Sequence, residues 1–521
     1  MQRFDERENI EVYDDPNWFS DYSSSSSESD SEDAEQEDGE WSDISNLRQL
    51  PFTNAPSFNL TTIENPIDYF NQLFTKDFFE TLVMSTNMHA NAVSLERNTA
   101  QDHISRWVDT DVAEVKTFLA LLFHIGHIKA YSCNIYWSSS LMFDQPFTKF
   151  MSQERFSIIM RYLCYTNEDV FSNETVFSTQ PIIDYFNKRM NELVVPVRYL
   201  TIDESLDLTR IKGKRDKHGI KLHALTDANG ICMKIHMHSR VLDPAFSRRD
   251  QYGEVAMLLL ENYLNKGYTV FVDRYYSSIE IAESLIVKST YLTGLLRANR
   301  FRNLSLTKTS KVSMGSCPYK YNERQFCVAN FNDEKHVLIS TQHFDVEIRH
   351  RRRGTVLKPR MVVEYKKHMN ALARKNQQLS YFSYYPETLH WYKKILVHIM
   401  QLLLQNAYNI YKAADKANKK KDFLYFRLNI AERLLSKTEG DPTELIEQPD
   451  ESDSTLITMA SGEIIHMISK LPKDNRGRTK RLPCALCLEK NQLRKIGMFY
   501  CPTCPQQPGL CIACFREFHN Y

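Results

Sequence analysis

The chain closes on three cysteine pairs of identical spacing, Cys484-x2-Cys487, Cys501-x2-Cys504 and Cys511-x2-Cys514, with His519 just behind them. Two thiolates separated by two residues form a tight claw, and two claws complete a tetrahedral zinc site. Thirteen residues lie between Cys487 and Cys501, close to the spacing of zinc ribbons and cross-braced modules. Seven candidate ligands are one short of two full sites. The pattern is therefore read as one Zn2+, or as two with a further ligand or water, and the pairing of the claws stays open. Redox chemistry at these motifs is disfavoured, because no thioredoxin-like βαβ pattern surrounds them. The module carries few basic residues, Lys490, Arg494, Lys495 and Arg516, so protein interaction competes with DNA contact as its role.

A second kind of chemistry is carried by two aspartates that follow apolar runs. Asp203 stands in LTIDESL and Asp273 in VFVDRYYSS. A carboxylate at the end of a buried strand is held rigidly at a sheet edge. Two such groups can share divalent cations of the kind used in two-metal nucleotidyl transfer. The spacing alone is weak evidence, since an aspartate in this position is often only a turn residue or a helix cap.

The elements that must position these residues are legible in outline. Phe70, Leu73, Phe74, Phe78, Phe79, Leu82 and Val83 recur at three- and four-residue spacing and predict an amphipathic helix. Thr110 or Asp111 caps a second, with Val115, Phe118, Leu119, Leu122 and Phe123 inward, and Phe156, Ile159, Met160 and Leu163 mark a third. From Tyr199 the pattern turns to strands: Tyr199–Ile202, Lys221–Thr226, Met233–His238, Tyr268–Val272 and Tyr291–Leu295. Tyr268–Val272 reads as a buried central strand. Helices are expected at 251–266, near 277–288, and from about 388 to 435. Residues 300–355 read as polar and irregular, with strand-like pieces near Cys327–Asn330 and Val337–Ser340.

Composition fits an intracellular polyanion-binding protein. Net charge is zero, yet residues 1–45 hold 16 acidic and 2 basic residues, a local charge of 2 − 16 = −14, which leaves +14 for the rest. A basic body suits phosphate contacts. The serine and acid run from Ser23 to Asp33 has no apolar periodicity and reads as disordered. It also suits an acid-directed kinase. No run of about 18 apolar residues occurs, and MQRFDEREN lacks the apolar stretch of a secretory leader, so no membrane partner is expected. The basic runs Lys416–Lys421, Lys473–Arg481 and Arg349–Arg353 are candidate nuclear-import signals or phosphate contacts.

Several segments resemble piggyBac transposases and their host-derived relatives: Leu200–Leu206, Gly219–Leu222, Val270–Ile279, Thr293–Asn299 (TGLLRAN) and Thr388–Tyr411. The resemblance covers roughly residues 65–435 and the cysteine end. It implies a ribonuclease-H-like core with Mg2+ held by aspartates, a homodimer, nuclear localisation, and a cysteine-rich module that contacts double-stranded DNA. Asp203 matches the first family aspartate and Asp273 the second. The family's Tyr-x-Lys-x-Met-Gly-Gly-Val-Asp-x-x-Asp-Gln segment falls on Tyr365–Gln377. There the third catalytic aspartate becomes Ala373 and the neighbouring acidic position Asn376, with Arg374 and Lys375 between them. Ala offers no ligand and Asn only a neutral one, whereas hard cations prefer carboxylates. The resemblance also places the compact basic stretch Arg210–His218 near the active site and DNA.

The expected architecture is thus a multidomain α+β, α/β chain. A disordered, acidic and serine-rich tail at 1–60 precedes a helical dimerisation and DNA-binding-type domain at 61–198. A ribonuclease-H-like domain follows at 199–385, with a polar insertion at about 300–355. A second helical part spans 386–436, a linker 437–482 and a zinc module 483–521. The expected function is DNA binding without full cleavage or strand transfer. Two alternatives stand beside it. One is an active Mg2+-dependent transposase with a replacement ligand such as Glu364 or Asp207. The other is a zinc-containing scaffold for chromatin proteins.

Overall fold

The computed structural model describes residues 40–61, 63, 65–96, 107–127, 133–138, 147–166, 179–207, 210–211, 214–215, 220–239, 251–296, 319–331, 336–342, 346–351, 354–382, 389–414, 421–436, 469–471, 482–491, 496–497, 499–501, 504, 508–511, 514 and 518. The Ser23–Asp33 run, most of the Lys416–Lys421 and Lys473–Arg481 runs, and His519 lie outside them. The chain divides into two compact units, Met1–Lys437 and Thr438–Tyr521.

The first unit is built on a nine-stranded mixed sheet. In chain order its strands are β1 (Trp41–Ser42), β2 (Tyr199–Asp207), β3 (Ile220–Asp227), β4 (Cys232–Ser239), β5 (Thr269–Val272), β6 (Tyr291–Leu296), β7 (Tyr319–Asn322), β8 (Phe326–Phe331) and β9 (His336–Ser340). Across the sheet they run β1-β7-β8-β9-β6-β5-β2-β3-β4. Central β5 is parallel to both neighbours, β2 and β6, and the remaining pairs are antiparallel. Its TVFV run is buried throughout, and its successive side chains enter opposite cores. Val270 and Val272 join the larger core, and Phe271 joins a smaller one on the other face. β9 divides likewise, with Val337 and Ile339 on the first side and Leu338 on the second.

The helices are α1 (Pro66–Leu73), α2 (Lys76–Glu96), α3 (Val112–Ile125), α4 (Gln153–Tyr162), α5 (Gln180–Leu193), α6 (Gln251–Leu260), α7 (Ile279–Val287), α8 (Arg360–Phe382), α9 (Trp391–Ala414) and α10 (Phe423–Leu435). Long α8 supplies Met361, Val362, Tyr365, Met369 and Leu372 to the smaller core, while α9 is buried within the larger one. Of the two caps offered by the sequence, Asp111 is used: its side chain accepts from Glu114 N. The single helix expected over Phe70–Val83 is two helices, α1 and α2. Thr75 starts the second, its Oγ1 accepting from Phe78 N at 3.3 Å. The edge of β4 is covered by side chains that imitate a neighbouring strand. Asn187 bonds both backbone groups of Ile235 at 2.8 and 2.9 Å, and Asn406 does the same for Cys232 at 2.8 Å.

The expected disorder of 1–60 does not hold for residues 40–60. β1 pairs with β7, Trp41 packs edge-on against Phe326, and Phe52 against Tyr268. Gly267, at φ +76, lies so close to the backbone of Pro51 that a Cβ there would stand 2.1 Å from its carbonyl oxygen. In the region 300–355, the strand-like pieces expected near Cys327–Asn330 and Val337–Ser340 are β8 and β9, and β7, in a stretch expected to be irregular, adds a third strand to the sheet. No helix among the described residues is long and apolar enough to cross a membrane.

The second unit is small. Ser469–Lys470 pairs with Phe499–Tyr500, Leu482–Pro483 pairs with Ile496–Gly497, and a short helix spans Ala485–Asn491. Its core is built from Cys484, Leu486, Cys501, Leu510 and Cys511.

Candidate metal centres

Parallel pairing of β2 with β5 sets Ile202 opposite Val272, so the next residues, Asp203 within β2 and Asp273 just past the end of β5, stand side by side. A register shift follows between Glu204 and Leu206, and such irregularities re-aim a strand near its end. Asp273 is buried. Its Oδ1 accepts from the backbone N–H groups of Tyr275 at 2.8 Å and Tyr276 at 3.4 Å. It is therefore a turn residue as well as a carboxylate beside Asp203. Burial and the Asp273 charge push Asp203 up to about 8, and burial raises Asp273 to about 6 despite its two backbone donors.

The third side of this pair is formed by α8. Asn376 donates through Nδ2 to Asp203 Oδ2 at 3.0 Å. Ala373, one turn earlier and on the same side of the helix, adds a methyl group. Arg374 is exposed. Buried Lys375 reaches Thr226 Oγ1 at 3.3 Å, and burial lowers its pKa against the pull of Cys232 and Asp227. The cation expected beside the carboxylates thus makes its hydrogen bond to β3.

Neither suggested replacement ligand is shown at the pair. Glu364 bonds Lys367 at 3.3 Å and lies 3.4 Å from His368 Nε2. It also stands 376 − 364 = 12 positions before Asn376 on one helix, about 18 Å along its axis. Asp207 occupies the far end of β2, in register with Lys221. Nearer the pair, Glu204 is held by Lys221 at 2.8 Å, and Lys221 also donates to Tyr252 Oη at 3.0 Å. Of the basic stretch after β2, Arg210–Ile211 pairs with Lys214–Arg215 as a small ribbon.

Sequence reasoning missed two features here. One is the donation from Asn376 to Asp203. The other is the contact between buried His398 Nε2 and Ser205 Oγ at 2.9 Å, which ties α9 to β2. A polar residue recurring inside the apolar Thr388–Tyr411 run was the available signal.

In the second unit, Cys484, Cys487, Cys511 and Cys514 bring their Sγ atoms within 4.8 Å of one another. The first and third claws therefore converge, which the spacing had left open. Four thiols in one cluster, with Cys484 and Cys511 buried, fit a structural metal ion such as zinc. Cys501 and Cys504 stand outside this group and interact with each other.

The protein-family model for Transposase IS4 matches residues 65–408, well over half of the chain. The chain belongs to the Transposase IS4 family, as a piggyBac-type member. The matched segment of this piggyBac-type chain runs from the approach to α1 to the last turns of α9 and includes Asp203, Asp273 and Asn376. Two human relatives are "PiggyBac transposable element-derived protein 5", 22% identical over 417 residues, and "PiggyBac transposable element-derived protein 3", 21% identical over 497. The alignments cover 74% and 90% of this chain respectively, and 78% of each relative. The fold is similar to that in a cryo-EM structure of the piggyBac transposase synaptic complex with hairpin DNA, with a TM-score of 0.61 and 17% identity. That match covers 88% of this chain and 99% of the other.

Proposed function

We propose that this piggyBac-type chain is a double-stranded DNA-binding, nuclear protein that no longer cuts and joins DNA. The observation that carries the proposal is the contact between Asn376 and Asp203. A paired-Mg2+ site needs several anionic oxygens to offset the charge of two ions. Here an amide N–H occupies Asp203 Oδ2, and Ala373 supplies nothing one turn away. The residues present do not fit the paired ions.

In this reading the sheet with α8 is the ribonuclease-H-like core of residues 199–385, and Asp203 and Asp273 are remnants of its catalytic set. The helices at 61–198 and 386–436 form the dimerisation and DNA-binding parts. Cys484, Cys487, Cys511 and Cys514 hold a structural Zn2+ in a 483–521 module. Cys501, Cys504 and His519 are the ligands left for a second ion. The solved relative with hairpin DNA supports the DNA partner.

The test is DNA cleavage by purified protein with Mg2+ and then Mn2+, on DNA bearing the ends of related transposons. An Ala373→Asp/Asn376→Asp variant is run in parallel. Binding without cleavage by the natural protein is the expected result, and cleavage by the variant locates the defect. Cleavage by the natural protein, abolished by Asp203→Ala, would overturn the reading. Absence of DNA binding would instead favour the scaffold for chromatin proteins.

A further inference from the structure

The turn after β5 treats its two tyrosines differently. Tyr276 is buried, and its hydroxyl meets His223 Nδ1 on β3. Tyr275 is only half-buried. Its position is fixed at the backbone, where its N–H donates to Asp273 Oδ1 at 2.8 Å. Tyr252, half-buried at the start of α6, lies beside it, with ring centroids 5.6 Å apart and planes inclined at 39°. A cation stands over each ring. The Arg274 guanidinium is 5.3 Å from the centre of Tyr275, and Lys221 Nζ is 5.6 Å from the centre of Tyr252. Lys221 is anchored there by Glu204 at 2.8 Å and by the Tyr252 hydroxyl at 3.0 Å.

Half-exposed aromatic rings flanked by cations suit a ligand that carries both flat π faces and negative charge, which describes a nucleic-acid strand. In a duplex each base face is covered by its neighbours, so only an unpaired base can offer one to a side chain. Stacked layers are spaced by about 3.4 Å, so a base cannot enter between Tyr252 and Tyr275. The place over Tyr275 that Arg274 holds is the one a base can take. Arg274 is itself half-buried, and once displaced its guanidinium suits the phosphate next to that base. The row also stands at the carboxylate pair, since Tyr275 is held by Asp273 itself.

We propose that Tyr275 is a stacking platform for one unpaired base of a DNA strand, taken up over its ring where Arg274 now lies, with Arg274 turning to the adjoining phosphate. This rests on the DNA-binding reading above and adds to it a preference for DNA with an unpaired segment.

The experiment compares binding by the full chain of one duplex carrying a short thymine tail and the same duplex carrying an abasic tail of equal length. The two DNAs have the same phosphates and differ only in the tail bases. The natural protein should bind the thymine-tailed DNA about tenfold more tightly. Tyr275→Phe should keep that preference, because the ring supplies the stacking face. Tyr275→Ala should lose it and still bind the abasic-tailed DNA. A 5-iodouracil placed in the tail and irradiated with the natural protein gives a check independent of variant folding. The cross-link should fall on Tyr275, read by mass spectrometry. Equal affinity of the natural protein for the two DNAs, a Tyr275→Ala protein that keeps the preference, or a cross-link on another residue overturns the platform and leaves DNA binding standing. No binding of either DNA by the natural protein overturns both.

Discussion

Asn376 donates its side-chain amide to Asp203 across 3.0 Å, at the position where the piggyBac pattern has an acid. A neutral donor beside a partly buried carboxylate stabilises it, whereas a third carboxylate would repel it. Asn376→Asp should therefore lower stability above about pH 8, where Asp203 is ionised, by about 1–3 kcal/mol without metal, and Mn2+ should restore it. Thermal melts with and without Mn2+ test this. A variant as stable as its parent, with no Mn2+ shift, would contradict the assignment.

The same carboxylate predicts a pH dependence. Asp203 is raised to about 8 by burial and by Asp273. A raised acid favours folding while protonated, so its stabilising contribution is complete below the unfolded value of about 3.9 and is lost as pH rises to about 8. The limiting slope is about 1.4 kcal/mol per pH unit for one proton. Asp203→Asn should remove this part of the profile, and urea denaturation from pH 5 to 8 reads the difference. Parallel curves for the two proteins would show that Asp203 takes up no proton on folding in this window.

The clustered thiols predict at least one Zn2+ per chain. Cys487→Ser should remove the ion held with Cys484, Cys511 and Cys514, whereas Cys504→Ser should leave it bound. Metal binding of this type contributes on the order of 10 kcal/mol to folding of a small module. The Cys487 variant should therefore lose protease resistance in residues 438–521, with the first unit unaffected. Native mass spectrometry counts the ions, and a Cys504→Ser protein that holds no zinc would refute this grouping of the claws.

Much of this arrangement is visible in the sequence where apolar periodicity dominates. Phe70, Phe78 and Leu82 are fully buried at the spacing that marked them, and the TVFV run is the central strand. Periodicity fails where the buried face is polar. α8 turns His368, Asn370 and Lys375 inward among its apolar residues, so no clean helical stripe betrays a 23-residue helix. It fails again where tertiary pairing makes the element, as with β1, whose two residues are a strand only because β7 lies beside them. The two aspartates were legible through resemblance to the family pattern. The donor to Asp203 was not, because a helix and a strand distant in sequence must meet to form it.

Arg427 carries the last prediction. It is fully buried on α10, and desolvation lowers it to about 9. Its guanidinium donates to Gln401 Oε1 at 2.8 Å, the Phe123 carbonyl at 2.7 Å and His127 Nε2 at 3.2 Å. The rings of Phe382 and Phe423 lie 4.9 and 5.2 Å from it. One side chain thus joins α3, α8, α9 and α10 using neutral acceptors and aromatic faces. Arg427→Ala strands a buried amide and a carbonyl and leaves a cavity among the rings, at a cost of about 3–5 kcal/mol. Arg427→Lys should cost nearly as much, because an ammonium cannot reproduce the planar fork and is more strongly hydrated. Arg427→Met should be the mildest of the three, since it fills volume without burying a charge. Urea denaturation of the three variants tests that order, and a lysine variant close to the natural protein would show that charge alone, not the fork, holds the helices together.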